Sequence, residues 1–325
     1  MRPKMQFDLE QKTALFPDID GECHASTLAR LRSGGFAVAW FQGSKEGRGD
    51  VAIYGTRRDA AGSWEAPRPW AKVNGLPHWN PVLFSPDGQN LTLFFKVGGR
   101  CDQWQTWVQH SSDLGRNWSP PTELVPGAEN ARGPVKNKPI RLSDGSILAG
   151  NSREDQRKWR VFTDRSTDGG KSWTASAEIP QEHAKDDLGV IQPTLWESAP
   201  GRVHMLVRSS SDLIWRSDSR DYGRTWAPLY PTTLPNNNSG IDLAKGDDAL
   251  VLAFNNTSGN WTVRTPLTLA ASRDNGQSWQ SLLDLETADG EYSYPAVIPL
   301  GGGRFAGTYT NRRKTITFWL GMLRP

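Results

Sequence analysis

Apolar residues along this chain come in short runs broken by glycine, proline and asparagine. That pattern predicts many short strands joined by turns. Near the N-terminus it reads as strands at 24–31, 36–41 and 51–57, with a fourth from Trp64 onward. Near the C-terminus it reads as strands at 294–300, 304–309 and 315–320, where the chain stops one strand short of four. Residues 5–11 are able to supply the missing strand and so remove an open edge.

A repeat fixes how many such units there are. Ser-x-Asp-x-Gly-x-x-Trp occurs at Ser111–Trp118, Ser166–Trp173, Ser219–Trp226 and Ser272–Trp279, and a degenerate copy runs from Asp59 to Trp64 with Ala61 at the glycine position. The five tryptophans are 54, 55, 53 and 53 residues apart. Aspartate and serine bond backbone N–H groups in a turn, glycine supplies a positive φ, and tryptophan anchors the turn to its sheet. At that period 325 residues hold six units. The expectation is an all-β fold: one six-bladed β-propeller spanning 1–325, with four-stranded antiparallel blades closed by the N-terminal strand. The octapeptide resembles the Asp-box of the sialidase superfamily, which implies a structural place on the outer rim for these residues.

Stacking the units aligns the starts of their innermost strands: His24-Ala-Ser, Asn80-Pro-Val, Lys138-Pro-Ile, Gln192-Pro-Thr, Ser239-Gly-Ile and Tyr294-Pro-Ala. In a propeller these positions line the mouth of the central channel. The ends of the second strands face the same opening and carry Lys45, Glu46, Lys96, Arg153, Arg208, Asn255 and Arg312. Lys136 and Arg264 converge there too, beside Asn238 and Asn137. A concave cluster of cations calls for an anionic partner, and arginine pairs with carboxylate in a bidentate fork. Trp79, Trp104 and Trp107 could stack on sugar rings, although Trp107 suits blade packing.

Composition narrows the partners. A net charge of +3 argues against nucleic acid. Two cysteines, Cys23 and Cys101, exclude a disulfide framework. No Cys/His spacing calls for a metal, and no pattern calls for a cofactor. Met1–Glu10 is polar, with neither a leader nor a membrane span, so a cytoplasmic location is expected. His78, His110, His183 and His204 receive no role.

The chain is similar to the neuraminidase-like BNR branch of the sialidases through His24-Ala-Ser-Thr, Trp79-Asn-Pro, Lys136-Asn-Lys-Pro, Ile191-Gln-Pro-Thr and Tyr292-Ser-Tyr-Pro. The resemblance implies an arginine cluster for a substrate carboxylate, a tyrosine nucleophile and an acidic proton donor. Arg208 looks like the second arginine and Arg264 the third. Tyr294 matches the nucleophile, with Tyr292 the alternative, and Glu46 or Asp50 matches the acid/base. Two positions depart from the family. The first inner strand has His24 where an arginine belongs, leaving Arg312 as a replacement. Gln192 stands where a glutamate should activate the tyrosine.

Three functions fit these residues. One is an exo-acting glycoside hydrolase on a terminal acidic sugar, sialic or uronic. Another is a lyase cleaving uronate glycans, with His24 and Tyr294 moving protons and Lys138 or Arg208 neutralising the carboxylate. The last is a propeller that binds acidic glycans without cleaving them.

Overall fold

The computed structural model describes residues 4–73, 75–128, 130–155, 158–182 and 188–325; His183 lies outside them. Strands in this span form six four-stranded antiparallel sheets. Blade 1 contains Glu22–Arg30, Phe36–Gly43, Ala52–Arg58 and Arg68–Ala71. Blade 2 contains His78–Phe84, Leu91–Val97, Gln105–Ser111 and Thr122–Glu123. Blade 3 contains Ile140–Arg141, Ile147–Glu154, Trp159–Ser166 and Thr174–Ala175. Blade 4 contains Val190–Ala199, Arg202–Ser209, Leu213–Ser219 and Tyr230–Pro235. Blade 5 contains Asp242–Lys245, Leu250–Asn255, Leu267–Ser272 and Gln280–Glu286. Blade 6 takes Tyr292–Gly301, Arg304–Asn311 and Thr315–Arg324 from the C-terminus and Gln6–Ala14 from the N-terminus. Gln6 pairs with Arg324 and Ala14 with Thr317, so the two ends of the chain close the ring as the strand count predicts. The chain is a six-bladed all-β propeller.

Its core lies between blades, because each sheet is apolar on both faces. Leu83 and Phe95 meet Ala39 and Phe41 between blades 2 and 1. Trp319 and Phe305 meet Val251 and Leu269 between blades 6 and 5. Trp40 and Val38 meet Phe318 and Ile298 where the ring closes. Equivalent clusters fill the remaining joints.

Each of the four perfect Asp-boxes opens on the last residue of a third strand. In the first perfect copy Gly115 N donates to Ser111 Oγ at 2.9 Å, and Asn117 N donates to Asp113 Oδ1 at 2.9 Å. The last copy repeats this, with Gly276 N on Ser272 Oγ at 2.8 Å and Ser278 N on Asp274 Oδ1 at 2.9 Å. Even the degenerate copy keeps the cap, Ser63 N on Asp59 Oδ1 at 2.8 Å; its glycine has moved one place to Gly62, at φ 101°.

A second repeated device sits at the axis. The innermost strands of blades 1, 2, 4 and 6 slip register between His24 and Thr27, Trp79 and Val82, Ile191 and Thr194, and Ser293 and Ala296. In each slip one non-glycine residue has a positive φ: Ala25 (57°), Asn80 (39°), Gln192 (59°) and Tyr294 (51°). The sequence alignment of blade 1 is therefore off by one residue. Ala25, not His24, is the structural counterpart of Asn80, Gln192 and Tyr294. His24 is the last paired residue before the slip, opposite Phe41.

Candidate functional site

One cavity of about 460 Å3 opens at the axis, and every blade contributes to its wall. His24, Glu46, Asn80, Gln192, Arg208, Arg264 and Tyr294 all line it. Asn80, Gln192 and Tyr294 reach it through their positive-φ bulges. Such conformations cost roughly 1–3 kcal/mol each and persist where surrounding structure imposes them.

Arg208 is the centre of the polar network. Its Nε donates to Asn238 Oδ1 at 2.7 Å, and Asn238 is held in turn by Asn260 at 2.7 Å. Its Nη1 donates to Tyr294 Oη at 2.8 Å and to Gln192 Oε1 at 3.2 Å. Gln192 Nε2 lies 3.4 Å from the same phenol oxygen. The guanidinium stands 5.4 Å from the Trp261 ring and 5.7 Å from the Trp159 ring, in a partly aromatic box. Among the described residues no carboxylate lies in salt-bridge range of Arg208.

The other cations are clamped. Glu291 accepts from Arg264 Nη1 at 2.6 Å and from Arg313 Nε at 2.9 Å, and Arg313 Nη1 also pairs with Glu46. Burial opposes ionisation of Glu291, but Arg264 and Arg313 together hold its carboxyl below the usual range. His24 packs on Tyr294 with ring centroids 4.2 Å apart. Burial, reinforced by Arg313, Arg264, Arg208 and Lys136, keeps His24 well below its ordinary value of 6.5 and hence neutral. Its Nδ1 is buried without a hydrogen bond and is 3.9 Å from Glu291 Oε1. Across the cavity, burial pushes the Glu154 carboxyl up, against the pull of Arg208 and Lys96.

Several candidates go elsewhere. Arg312 is exposed and donates to Tyr292 Oη at 3.0 Å, and Tyr292 itself is packed between blades 5 and 6. Neighbouring Arg313 lines the cavity beside His24 instead. Both residues have positive φ (52° and 56°), and this tight turn re-aims the side chains that strand alternation would assign. Asp50 is an exposed turn cap on Ser44 N at 2.8 Å and does not line the cavity. Lys138 is drawn to Asp242 Oδ2 and the Leu243 carbonyl, both at 2.8 Å. Lys96 is buried on Thr106 Oγ1 at 2.6 Å, where burial pulls it down to about 7. Lys136 is buried beneath Tyr294, its ammonium 5.7 Å from the ring and bonded to Asn137 Oδ1, Ile241 O and Pro295 O. Three acceptors match the three protons of an ammonium, so Lys136 pins blades 3, 5 and 6 together under the site. Trp79 and Trp104 line the cavity with rings 5.4 Å apart, whereas Trp107 packs between blades 1 and 2. Arg313, Glu291, Glu154, Trp159 and Trp261 were absent from the sequence-derived set. A basic residue directly after Arg312 and an acid two before Ser293 were the available signals.

Residues 34–306 match the BNR repeat-like domain. The chain belongs to the BNR repeat-like domain family. The same propeller recurs in solved structures. A Dyadobacter fermentans protein of unknown function superposes with a TM-score of 0.80 at 14% identity, over 99% of this chain and all of that one. The Hadza microbial sialidase Hz136 gives 0.79 at 17% identity, covering 96% of this chain and 68% of that one. The NanB sialidase of Streptococcus pneumoniae gives 0.72 at 13% identity, covering 95% and 70%. At these identities the likeness is one of fold. No curated protein matches the chain.

Proposed function

We propose that this BNR propeller is an exo-acting glycoside hydrolase whose substrate ends in an acidic sugar. One observation carries it: the guanidinium groups of Arg208, Arg264 and Arg313 share a single cavity with the phenol of Tyr294. Three planar cations in one concavity match a carboxylate. Arg208, free of any carboxylate partner among the described residues, supplies the unmatched charge; Glu291 holds the other two in place. A volume of about 460 Å3 suits one terminal sugar. Tyr294 Oη, oriented by Arg208, then attacks or stabilises the anomeric carbon. Glu46 is committed to Arg313, so Glu154, whose carboxyl burial has raised, is the better proton donor to the leaving oxygen. Sialic acid is the first sugar to try, since Hz136 and NanB are named as sialidases.

The test is release of umbelliferone from sialyl and hexuronyl glycosides. Turnover should appear on an acidic glycoside and fall by about a hundredfold or more in Tyr294→Phe and Arg208→Ala. Turnover that survives Tyr294→Phe, or cleavage of neutral glycosides alone, overturns the assignment.

A uronate lyase is the second reading, favoured by Gln192. The phenol has an arginine and an amide as polar partners, and among the described residues no carboxylate bonds to it. In β-elimination Arg208 would neutralise the uronate carboxylate while a neutral base removes the α-proton, the β C–O bond breaks, and the leaving oxygen departs with a proton as an alcohol. The product then carries a carbon–carbon double bond, visible in the ultraviolet, and no water is added.

A further inference from the structure

Outside the lining of the axial cavity, blade 4 carries a second constellation on three adjacent strands. Ser198 is on the innermost, His204 on the next and Asp218 on the third. His204 pairs directly across from Asp218 in the ladder, and Ser198 sits where the first strand slips register between Glu197 and Ala199. Ser198 Oγ is 2.7 Å from His204 Nε2, and His204 Nδ1 is 2.5 Å from Asp218 Oδ1. The competing acceptor for the Ser198 hydroxyl, the Arg202 carbonyl, is more distant at 3.5 Å.

The neighbours fix the tautomer. Trp196 Nε1 donates to Asn275 Oδ1 at 2.7 Å, which leaves Asn275 Nδ2 facing His204 Nε2 at 3.2 Å. The Asn275 amide donates toward Nε2, while Nδ1 faces the Asp218 carboxylate, with Arg216 Nη2 also 3.2 Å from Nδ1. The closer carboxylate draws the proton to Nδ1 and leaves Nε2 its lone pair toward Ser198. Burial opposes charge on Asp218, yet hydrogen bonds from His204, Tyr230 and Arg216 hold its carboxyl well below the usual range. Trp196 stacks on the imidazole with centroids 5.0 Å apart and fixes its plane. This is the protonation pattern in which a hydroxyl loses its proton to imidazole and an adjacent carboxylate, here half-buried and shared with Arg216, stabilises the resulting imidazolium.

The serine is half-buried and reachable. It lines a cleft of about 180 Å3 with Lys245, Arg273 and Asn275. Lys245 Nζ is held on the Glu197 carbonyl at 2.6 Å, next in sequence to Ser198, so a cation lines the same cleft as the hydroxyl. The cleft admits a small acyl group.

We propose that Ser198, His204 and Asp218 form a serine esterase centre for small acyl esters, separate from the axial cavity. Ser198 Oγ bonds to the ester carbonyl carbon as its proton passes to His204 Nε2. The C–O bond to the alcohol breaks, and the alcohol departs with that proton. Water then attacks the acyl-serine, gives one proton through His204 back to Ser198 Oγ, and releases the carboxylic acid. No co-reactant other than water is needed.

A purely structural network would bind blade 4 to the Asp-box of blade 5 through Asn275 and Arg216 and leave the hydroxyl inert. The full chain treated with a biotinylated fluorophosphonate, digested and analysed by mass spectrometry separates the two. The expected adduct is on Ser198. Hydrolysis of p-nitrophenyl acetate should fall by about a hundredfold or more in Ser198→Ala and His204→Ala, with glycoside turnover unchanged in Ser198→Ala. A wild-type protein that leaves Ser198 unlabelled while a control serine hydrolase reacts overturns the proposal, whatever the variants do. So does p-nitrophenyl acetate turnover equal in wild type and in Ser198→Ala of unchanged melting temperature.

Discussion

At the scale of single residues, the contacts of Tyr294 decide most of the chemistry. Its oxygen accepts from Arg208, and the second polar neighbour, Gln192, is an amide. Gln192→Glu would put a carboxylate within reach of both. The expected result for a hydrolase is a higher kcat on the acidic glycoside, because the phenol gains a proton acceptor; for a lyase kcat should fall, because the new charge cancels part of Arg208. Steady-state kinetics on Gln192→Glu beside the unmodified protein reads the difference. A second consequence concerns pH. His24 and His78 are both held below 6.5 chiefly by burial, His78 at about 4. Below pH 6.5 the unfolded chain takes up protons that the fold refuses. Stability should therefore fall as pH drops through that window, by up to about 1.4 kcal/mol per pH unit for each group. Urea unfolding at pH 7, 6 and 5 measures it, and His24→Asn should flatten the slope.

At the scale of elements, the Asp-box turn and the inner-strand bulge behave differently, and the difference marks what the sequence could disclose. The box is local: serine, aspartate and glycine satisfy one another within a single turn, so the octapeptide announced itself, its spacing and the blade count. Gly223 makes the dependence testable. It has φ 74°, and a Cβ there would come within 2.5 Å of Leu148 Cδ2 in the neighbouring blade. Gly223→Ala should destabilise the protein by about 1–3 kcal/mol in denaturant unfolding while sparing turnover, because the turn is on the rim. The bulge is a matter of pairing between strands, and no single-strand pattern encodes it. For that reason His24 was aligned one residue off. The turn carrying Arg312 and Arg313 misled in the same way: alternation extended from 304–309 points Arg312 inward, whereas two successive left-handed residues bring in Arg313. Lys138 and Lys96 were misjudged for a further reason. Sequence position puts them near the axis, but buried acceptors draw their ammonium groups aside, Asp242 of blade 5 for Lys138 and Thr106 of its own blade for Lys96.

At the scale of the whole molecule, the ring is held shut by one strand from the far end of the chain. Gln6–Ala14 covers the edge of Thr315–Arg324, and Gln280 of blade 5 bonds Met5 through both its amide nitrogen and oxygen. Removing residues 1–14 would leave a ten-residue edge strand with the outward-facing half of its backbone donors and acceptors unpaired. The expected outcome is a lower melting temperature and self-association, read by light scattering. Arg313, near the start of that strand, would lose its fixed seat, so activity should fall even in the monomeric fraction.

The left-handed kinks at Ala25, Asn80, Gln192 and Tyr294 also bear on how such a protein can change. Elsewhere in a strand, what a side chain faces is tied to its neighbours' parity, and moving one disturbs the next. At these four spots direction is a property of the main chain alone. New reactivity could thus be installed by point substitution at any of them without asking the scaffold to rearrange, and a single wheel could host several unrelated chemistries in turn.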